Sequence, residues 1–282
     1  MKREEQDLGL NDLQKCIIDS LSVFHDFCEQ HSLNYYLTGG TLLGAVRHKG
    51  IIPWDDDIDV CMPRNDYKKL IKISNELPEG FSTGYYNIDN KYVYPFAKFY
   101  NNKILIKEYF GDKSYTNGVW VDIFPLDATF SNLTLRKLHF YIIKKLRFLF
   151  QLKVRGYQAP TDKSNILKYA IKKTVKPLVF GGLQLIPLKF LFNLMEGIAS
   201  IKNYDRTEYL ARLYSRYGIK ATFHKRVYAD KVLLDFNGYK FYGPIGYDEY
   251  LTNLYGDYMT PPPPKERQTH NIELVSLNRM VD

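Results

Sequence analysis

The stretch "IPWDDDIDV", residues 52–60, sets four carboxylates, Asp55, Asp56, Asp57 and Asp59, within five positions behind a proline and a tryptophan. Like charges this close repel one another and add nothing to packing. Read as a strand, with side chains alternating between faces, Asp57, Asp59 and Cys61 share one face while Ile58, Val60 and Met62 turn into a core. If the chain is extended from Asp55, that carboxylate joins the first face. Carboxylates that converge at a strand end need a cation, because otherwise one must protonate or move into water. Oxygen-only ligands select a hard ion, Mg²⁺ or Mn²⁺. A solvated acidic loop is the plain alternative, and it leaves the alternation Asp57-Ile58-Asp59-Val60 unexplained.

Upstream, "NYYLTGG" (34–40) reads as a short strand ending in Gly39 and Gly40, followed by a helix over 41–48. Backbone N–H groups at such a helix start can hold a phosphate. Before it, Leu13, Ile17, Leu21, Phe24 and Cys28 recur at helical spacing, with Asn11 and Gln14 as a capping box. His25, Cys28 and His31 resemble a metal set only loosely and read as core packing. Downstream, Pro63 stops the acidic strand and Asn65 or Asp66 caps a helix running to about Leu77. Short β pieces are expected near Tyr85, over 94–100 and over 103–107. "GVWVDIFPLD" (118–127) is a further strand closed by Pro125: Val119, Val121 and Ile123 on one face, Trp120, Asp122 and Phe124 on the other. Burying Asp122 among these neighbours is costly unless it faces a metal or a basic group. Asp127 is the competing candidate for this role, but so soon after a proline it is expected in a turn.

The 282 residues suffice for a full core, and 45% hydrophobic with 25% charged is the profile of a soluble globular protein. The 24 tyrosines suit a surface that meets sugars, bases or headgroups, or are a compositional habit of the source. Three cysteines cannot complete a disulfide framework, and "MKREEQDLGL" lacks the apolar run of a signal peptide, so a cytoplasmic location is expected. The net charge is +8, yet 128–195 alone holds thirteen Lys and Arg against one acid, Asp162, so the remainder is acidic. One face is therefore expected to meet an anionic surface, and a peripheral contact with the inner face of the membrane fits the acid-free stretch "LRKLHFYIIKKLRFLFQLKVR" (135–155). Helices with breaks at Pro177, Gly181, Gly182 and Pro187 are expected over 165–201, and "PLVFGGLQLIPLKFLFNLM" (177–195) is a poor membrane span. A further helix is expected over 247–255.

A glycine pair before a helix, carboxylates two apart on a strand and one carboxylate on a later strand resemble the nucleotidyltransferase fold. "TGGTLLGAVRHKGIIPWDDDIDV" (38–60), "GVWVDIFPLD" and the tail "YGDYMTPPPP…H" (255–270) narrow this. Together they resemble the LicD-type phosphotransferase family, which includes phosphocholine transferases and is related to fukutin-like proteins. The motifs span 38–270, while 128–245 matches only in its basic, helical character.

The resemblance implies an α+β fold: a nucleotidyltransferase-like mixed β-sheet core flanked by helices, with a basic helical insertion. It implies one catalytic domain over 1–282, with a core over 1–127, a mostly helical segment over 128–245 and a C-terminal segment over 246–282 that returns to the site. Asp57 and Asp59, with Asp55 beside them and Asp122 as the third carboxylate, match the family's ligands for Mg²⁺ or Mn²⁺. Asp57, Asp59 and Asp122 are also the expected catalytic set, Asp122 binding metal or drawing the proton from the attacking hydroxyl. Gly39, Gly40 and Thr41 match the phosphate-holding turn. Arg47, His48 and Lys49 would neutralise a diphosphate or form a solvated helix end. Trp54 would stack on a base or fix its loop. Lys265, Arg267 and His270 would close over the donor or form a surface tail. The implied reaction moves a phospho-alcohol, such as phosphocholine, from CDP-choline or another CDP-alcohol to a sugar hydroxyl of a cell-surface glycan or its lipid-linked precursor, and CMP leaves. Teichoic acid and lipopolysaccharide are glycans of this kind. Two alternatives stand beside it: a nucleotidyltransferase acting on a small molecule or RNA, and a non-catalytic membrane-surface or RNA-binding protein. No RNA-recognition motif with paired aromatics is visible, so no nucleic-acid partner is expected.

Overall fold

The computed structural model of the chain describes residues 10–88, 92, 94–110, 113–155, 166–263, 265, 267 and 272–277. Helix α1 (Leu10–Gln30) buries Leu13, Ile17, Leu21, Phe24 and Cys28 as one stripe, as its spacing predicts. Gln14 does not cap it. Its side chain points inward and donates to the carbonyls of Ile52 (3.3 Å), Pro53 (3.4 Å) and Asp55 (2.8 Å), so α1 tethers the acidic loop. His25 bonds the Tyr35 hydroxyl at 2.8 Å and Cys28 lies in the core.

The strands β1 (Tyr36–Leu37), β2 (Asp59–Pro63), β5 (Lys113–Thr129), β4 (Ala97–Phe110) and β10 (Ile272–Leu277) lie side by side in that order. β3 (Phe81–Gly84) adds to β4, and β6 (Tyr209–Ala211) joins β5 and β7 (Thr222–His224). The β2–β5 pair is parallel and the others antiparallel, giving a mixed sheet. Helix α2 (Gly39–His48) links β1 to the acidic loop, and α3 (Arg64–Lys72) follows β2 directly. The expected α+β architecture of a mixed sheet flanked by helices is thus observed.

Several local expectations are corrected. β2 begins at Asp59, so 55–58 is not strand and strict alternation does not extend to Asp55 and Asp57. Asn65 and Asp66 lie inside the first turn of α3. Asp66 accepts there from the Asn34 backbone and side-chain nitrogens, both at 3.2 Å. That helix ends at Lys72, five residues short of Leu77. The two β pieces expected over 94–107 are one strand, β4, with an irregularity between Asn101 and Leu105 opposite Gly118, where a side chain would run into the Asn101 carbonyl. Pro125 does not close β5. The β4 ladder ends at Ile123, so the missing N–H of Pro125 breaks no bond to β4, and the strand continues to Thr129.

Helices α4 (Leu133–Arg155), α5 (Ile166–Gln184) and α6 (Leu188–Ala199) carry the basic stretch, and α5 runs through Pro177, Gly181 and Gly182 without a break. Beyond Ala199 the helical expectation fails. Residues 209–244 contribute β6, β7 and a hairpin of β8 (Lys231–Phe236) and β9 (Tyr239–Pro244), before α7 (Tyr247–Tyr255). Asn237 (φ 51°) and Gly238 (φ 86°) form the hairpin's two-residue turn, and the Asn237 side chain accepts from the Ile51 N–H at 2.8 Å. Among the described residues no single helix is long and apolar enough to cross a membrane, though the bent pair Lys173–Gln184 and Leu188–Ala199 passes when taken together.

Candidate active site

Strand register assembles the site. Asp59 of β2 stands opposite Asp122 of β5, and Asp122 stands opposite Lys98 of β4. Register partners on neighbouring strands point to the same face. The result is a row across three strands: acid, acid, base. Lys98 Nζ lies 3.3 Å from Asp122 Oδ1, buried over the rings of Trp120 (3.5 Å) and Tyr94 (4.0 Å). The basic group that Asp122 requires is therefore present, together with a neighbouring carboxylate.

The glycine turn closes onto the same row. The Thr41 hydroxyl accepts from the Asp59 N–H at 2.8 Å, and the Thr38 N–H donates to the Asp59 carbonyl at 3.2 Å. Gly39 sits at φ +60°, where a methyl group would lie 3.1 Å from Asp59 Oδ2 and 3.8 Å from both terminal nitrogens of Arg212. A methyl on Gly40 would meet Asp55 Oδ2 at 2.8 Å. The left-handed φ of Gly39 calls for glycine, and at both positions the lack of a side chain lets the backbone run close to a carboxylate. The Gly39 N–H donates to the Tyr250 hydroxyl at 3.0 Å, which leaves the N–H groups of Gly40 and Thr41 without a partner inside the helix.

Asp55, Asp56 and Asp57 each offer a carboxylate oxygen, and these atoms lie within 4.8 Å of one another. Burial, then Asp57 and Asp122, push the Asp59 carboxyl well above the usual carboxylate range, with Arg212 opposing them. Oxygen donors gathered at this spacing fit a hard divalent cation. The trio that could hold it includes Asp56, which strand alternation had set apart.

The sequence comparisons bear on this geometry. Residues 32–156 match the LicD/FKTN/FKRP nucleotidyltransferase domain. The lipopolysaccharide cholinephosphotransferase LicD of Haemophilus influenzae is 33% identical over 279 residues, 94% of this chain and 97% of that protein. The chain belongs to the LicD family. Human ribitol 5-phosphate transferase FKRP is 56% identical over 32 residues, 11% of this chain and 6% of that protein. An uncharacterised Rickettsia prowazekii protein is 39% identical over 71 residues, 24% of this chain and 27% of its own length. As a LicD-type phosphotransferase, the chain carries its carboxylates on the part that the family domain covers.

Within this LicD-family chain not every expected residue meets the row. Arg47 lies about 12 Å along the α2 axis from Gly39. Its Nη1 donates to the Tyr258 carbonyl at 2.9 Å and its Nε to His48 Nδ1 at 3.3 Å. Burial lowers the pKa of Arg47, and burial followed by the Arg47 charge lowers that of His48. Lys49 is the left-handed residue that ends α2 (φ 56°) and is exposed. These three therefore stand at the opposite end of α2 from the glycine turn. Trp54, beside Asp55, stacks under the Arg267 guanidinium at 4.2 Å and meets the His48 ring edge-on, so one of its faces is taken by protein. Lys265 is exposed, and His270 lies outside the described residues.

Sequence reasoning missed Lys98, Arg212 and Tyr250. Lys98 left a signal, a lone cation in the apolar strand "FAKFY" to match the lone acid in "VWVDIF". Arg212 and Tyr250 left none, since each reaches the site only through tertiary packing. Burial alone would lower the Arg212 pKa, but Tyr250, Cys61 and Asp59 outweigh it and push it up, which keeps a fixed positive charge beside Gly39.

Proposed function

We propose that this LicD-type phosphotransferase moves a phospho-alcohol group, phosphocholine in the first instance, from a CDP-alcohol donor to a hydroxyl of a cell-surface glycan or its lipid-linked precursor, with release of CMP. The observation that carries this reading is the row Asp59–Asp122–Lys98 seated against the Gly39–Gly40 turn. Similarity over nearly the whole of a cholinephosphotransferase supports the choice of group.

Asp55, Asp57, Asp59 and Asp122, joined by Asp56, are the residues that would hold Mg²⁺ or Mn²⁺. When bound, such an ion neutralises the donor diphosphate and makes its phosphorus easier to attack. The N–H groups of Gly40 and Thr41 hold phosphate oxygens, and the Arg212 guanidinium offers the fixed charge on that side. Lys98 orients Asp122 through its ion pair, so that Asp122 faces both Asp59 and the incoming hydroxyl. Arg212 replaces Arg47 in this account as the cation nearest the turn. We treat 1–282 as one catalytic unit. The bond from Arg47 to Tyr258 and the Arg267–Trp54 stack support a C-terminal segment that returns to the acidic loop.

The test is a panel of CDP-alcohols incubated with Mg²⁺ and a glycan pool extracted from cell envelopes. CMP release that requires both donor and glycan is the expected result. A reaction that instead needs a nucleoside triphosphate and releases pyrophosphate would favour the nucleotidyltransferase alternative.

The same reading locates the protein in the cytoplasm, resting on the inner face of the membrane. Leu178 and Leu185 are 77% and 87% exposed, and Phe190 is exposed next to Lys189. Exposed apolar and basic side chains on one run of helices suit an anionic lipid surface. Co-sedimentation with phosphatidylglycerol vesicles is expected at low salt, to weaken at high salt, and to fall for Leu185→Glu with Phe190→Glu. Absence of vesicle binding at low salt removes this part of the proposal.

A further inference from the structure

A cleft of about 300 Å³ lies between α4 and the turn that follows β6, apart from the carboxylates. Lys137, Lys144 and Arg147 line it from the helix and Arg216 from the turn, and no acidic residue is among its ten lining residues. Tyr141 and Ser215 add an aromatic ring and a hydroxyl. Arg147 donates to the Tyr214 carbonyl and so braces the two walls. Arg216 Nη2 donates to the Tyr217 hydroxyl at 3.2 Å. Four cations on the walls of one concave site, with no acid in its lining, favour an anion there.

The cleft adjoins the active site through a single short turn. Arg212, at its start, stands beside Gly39 and Asp59, while Arg216, four residues later, lines the cleft. A CDP-alcohol carries its two phosphates next to each other, and in the reading above both belong at the carboxylates and the glycine turn. Lys137, Lys144 and Arg216 then face a second anion, which in a two-substrate transfer belongs to the acceptor. Resting on that reading, we propose that this cleft is an acceptor subsite that seats a phosphate group of the acceptor glycan while the hydroxyl to be modified reaches the row at Asp122. A phosphorylated sugar and the diphosphate of a prenyl-linked sugar share this chemistry. The exposed Leu138 and Tyr141 on α4 give a prenyl chain an apolar rim.

The test uses the full chain in EDTA at low salt and titrates inorganic pyrophosphate by calorimetry, so its outcome does not depend on phospho-alcohol transfer. Wild type is expected to bind, and Lys137→Gln with Lys144→Gln to bind at least about tenfold more weakly, since each lost charge-assisted bond is worth about that factor. Arg216→Gln, on the opposite wall, should weaken binding independently. All three side chains are exposed, so unchanged melting is expected and checks the fold. Asp57→Asn should bind like wild type, and CMP should not compete. Glucose 6-phosphate and farnesyl diphosphate should each displace pyrophosphate, the stronger of the two identifying the phosphate source, whereas glucose and farnesol should not. No binding by wild type, equal binding by the cleft variants, competition by CMP, or equal displacement by the unphosphorylated compounds overturns the proposal. Failure to release CMP from a CDP-alcohol would count against the transferase reading and leave this binding result to stand by itself.

Discussion

Asp59→Asn and Asp57→Asn are each expected to lower transfer by more than roughly a hundredfold, the upper range for losing a group that only orients a metal ligand. Neither variant should melt below wild type in the absence of metal. The Asp59 carboxyl is raised by burial and by Asp57 and Asp122. A carboxyl whose folded pKa lies above its unfolded value favours the protonated folded form. Its charge therefore costs stability from the unfolded pKa upward, including at neutral pH, and Asn removes that cost. The backbone bond from Asp59 to Thr41 survives the substitution. Mg²⁺ with a CDP-donor should raise the melting temperature of wild type and not of these variants. Thermal melting with and without metal, run beside the transfer assay, reads both halves. Equal stabilisation of all three proteins would put the metal elsewhere.

The largest loss of stability is expected away from the chemistry, where α3, β5 and α6 meet. Arg64 forks onto Asp127 at 2.6 and 2.7 Å and reaches Glu196 at 2.6 Å. Glu196 also accepts from the hydroxyls of Tyr214 (2.7 Å) and Tyr85 (3.1 Å). Burial leaves the Asp127 carboxyl above its usual range even with Arg64 beside it, so an Arg64→Ala variant strands an uncompensated acid in the core. Arg64→Ala and Asp127→Ala are each expected to cost about 3–5 kcal/mol, as for other buried pairs broken on one side. Arg64→Met with Asp127→Leu should cost less than the sum of the two, because neither charge is left behind. Urea unfolding measures this. A single-variant cost below about 1 kcal/mol, typical of exposed pairs, would contradict the burial that the packing gives this cluster.

That cluster also shows where sequence reasoning stops. Asp127 was expected in a turn because Pro125 was expected to end the strand. A proline is tolerated there because β5 has lost its β4 neighbour by that point, a fact of topology that no local pattern carries. Conversely, the faces of "GVWVDIF" and of "DVCM" follow from alternation alone, and so does the apolar stripe of α1. The glycine turn was legible from its place before a helix. The hairpin at Asn237-Gly238 was legible as well, since an Asn-Gly pair between apolar runs is a strong turn signal, but the basic helical character of the preceding stretch was extended over it. Arg212 and Tyr250 reach the site from 170 or more residues beyond the glycines, and nothing in their neighbourhoods marks them. Arg47, His48 and Lys49 lie between turn and carboxylates in sequence, and the ten-residue α2 sets them at its far end from the glycines, where His48 meets Trp54 of the loop that follows.

Which phosphorus is attacked decides the account. In a CDP-alcohol the acceptor hydroxyl can meet the distal phosphorus, so that CMP leaves, or the one next to cytidine, so that the alcohol phosphate leaves. The direct measurement is the mass of the glycan product formed from CDP-choline with Mg²⁺. A gain of one phosphocholine group with CMP in solution is expected, whereas a gain of one cytidylyl group with free phosphocholine would rule out attack at the distal phosphorus.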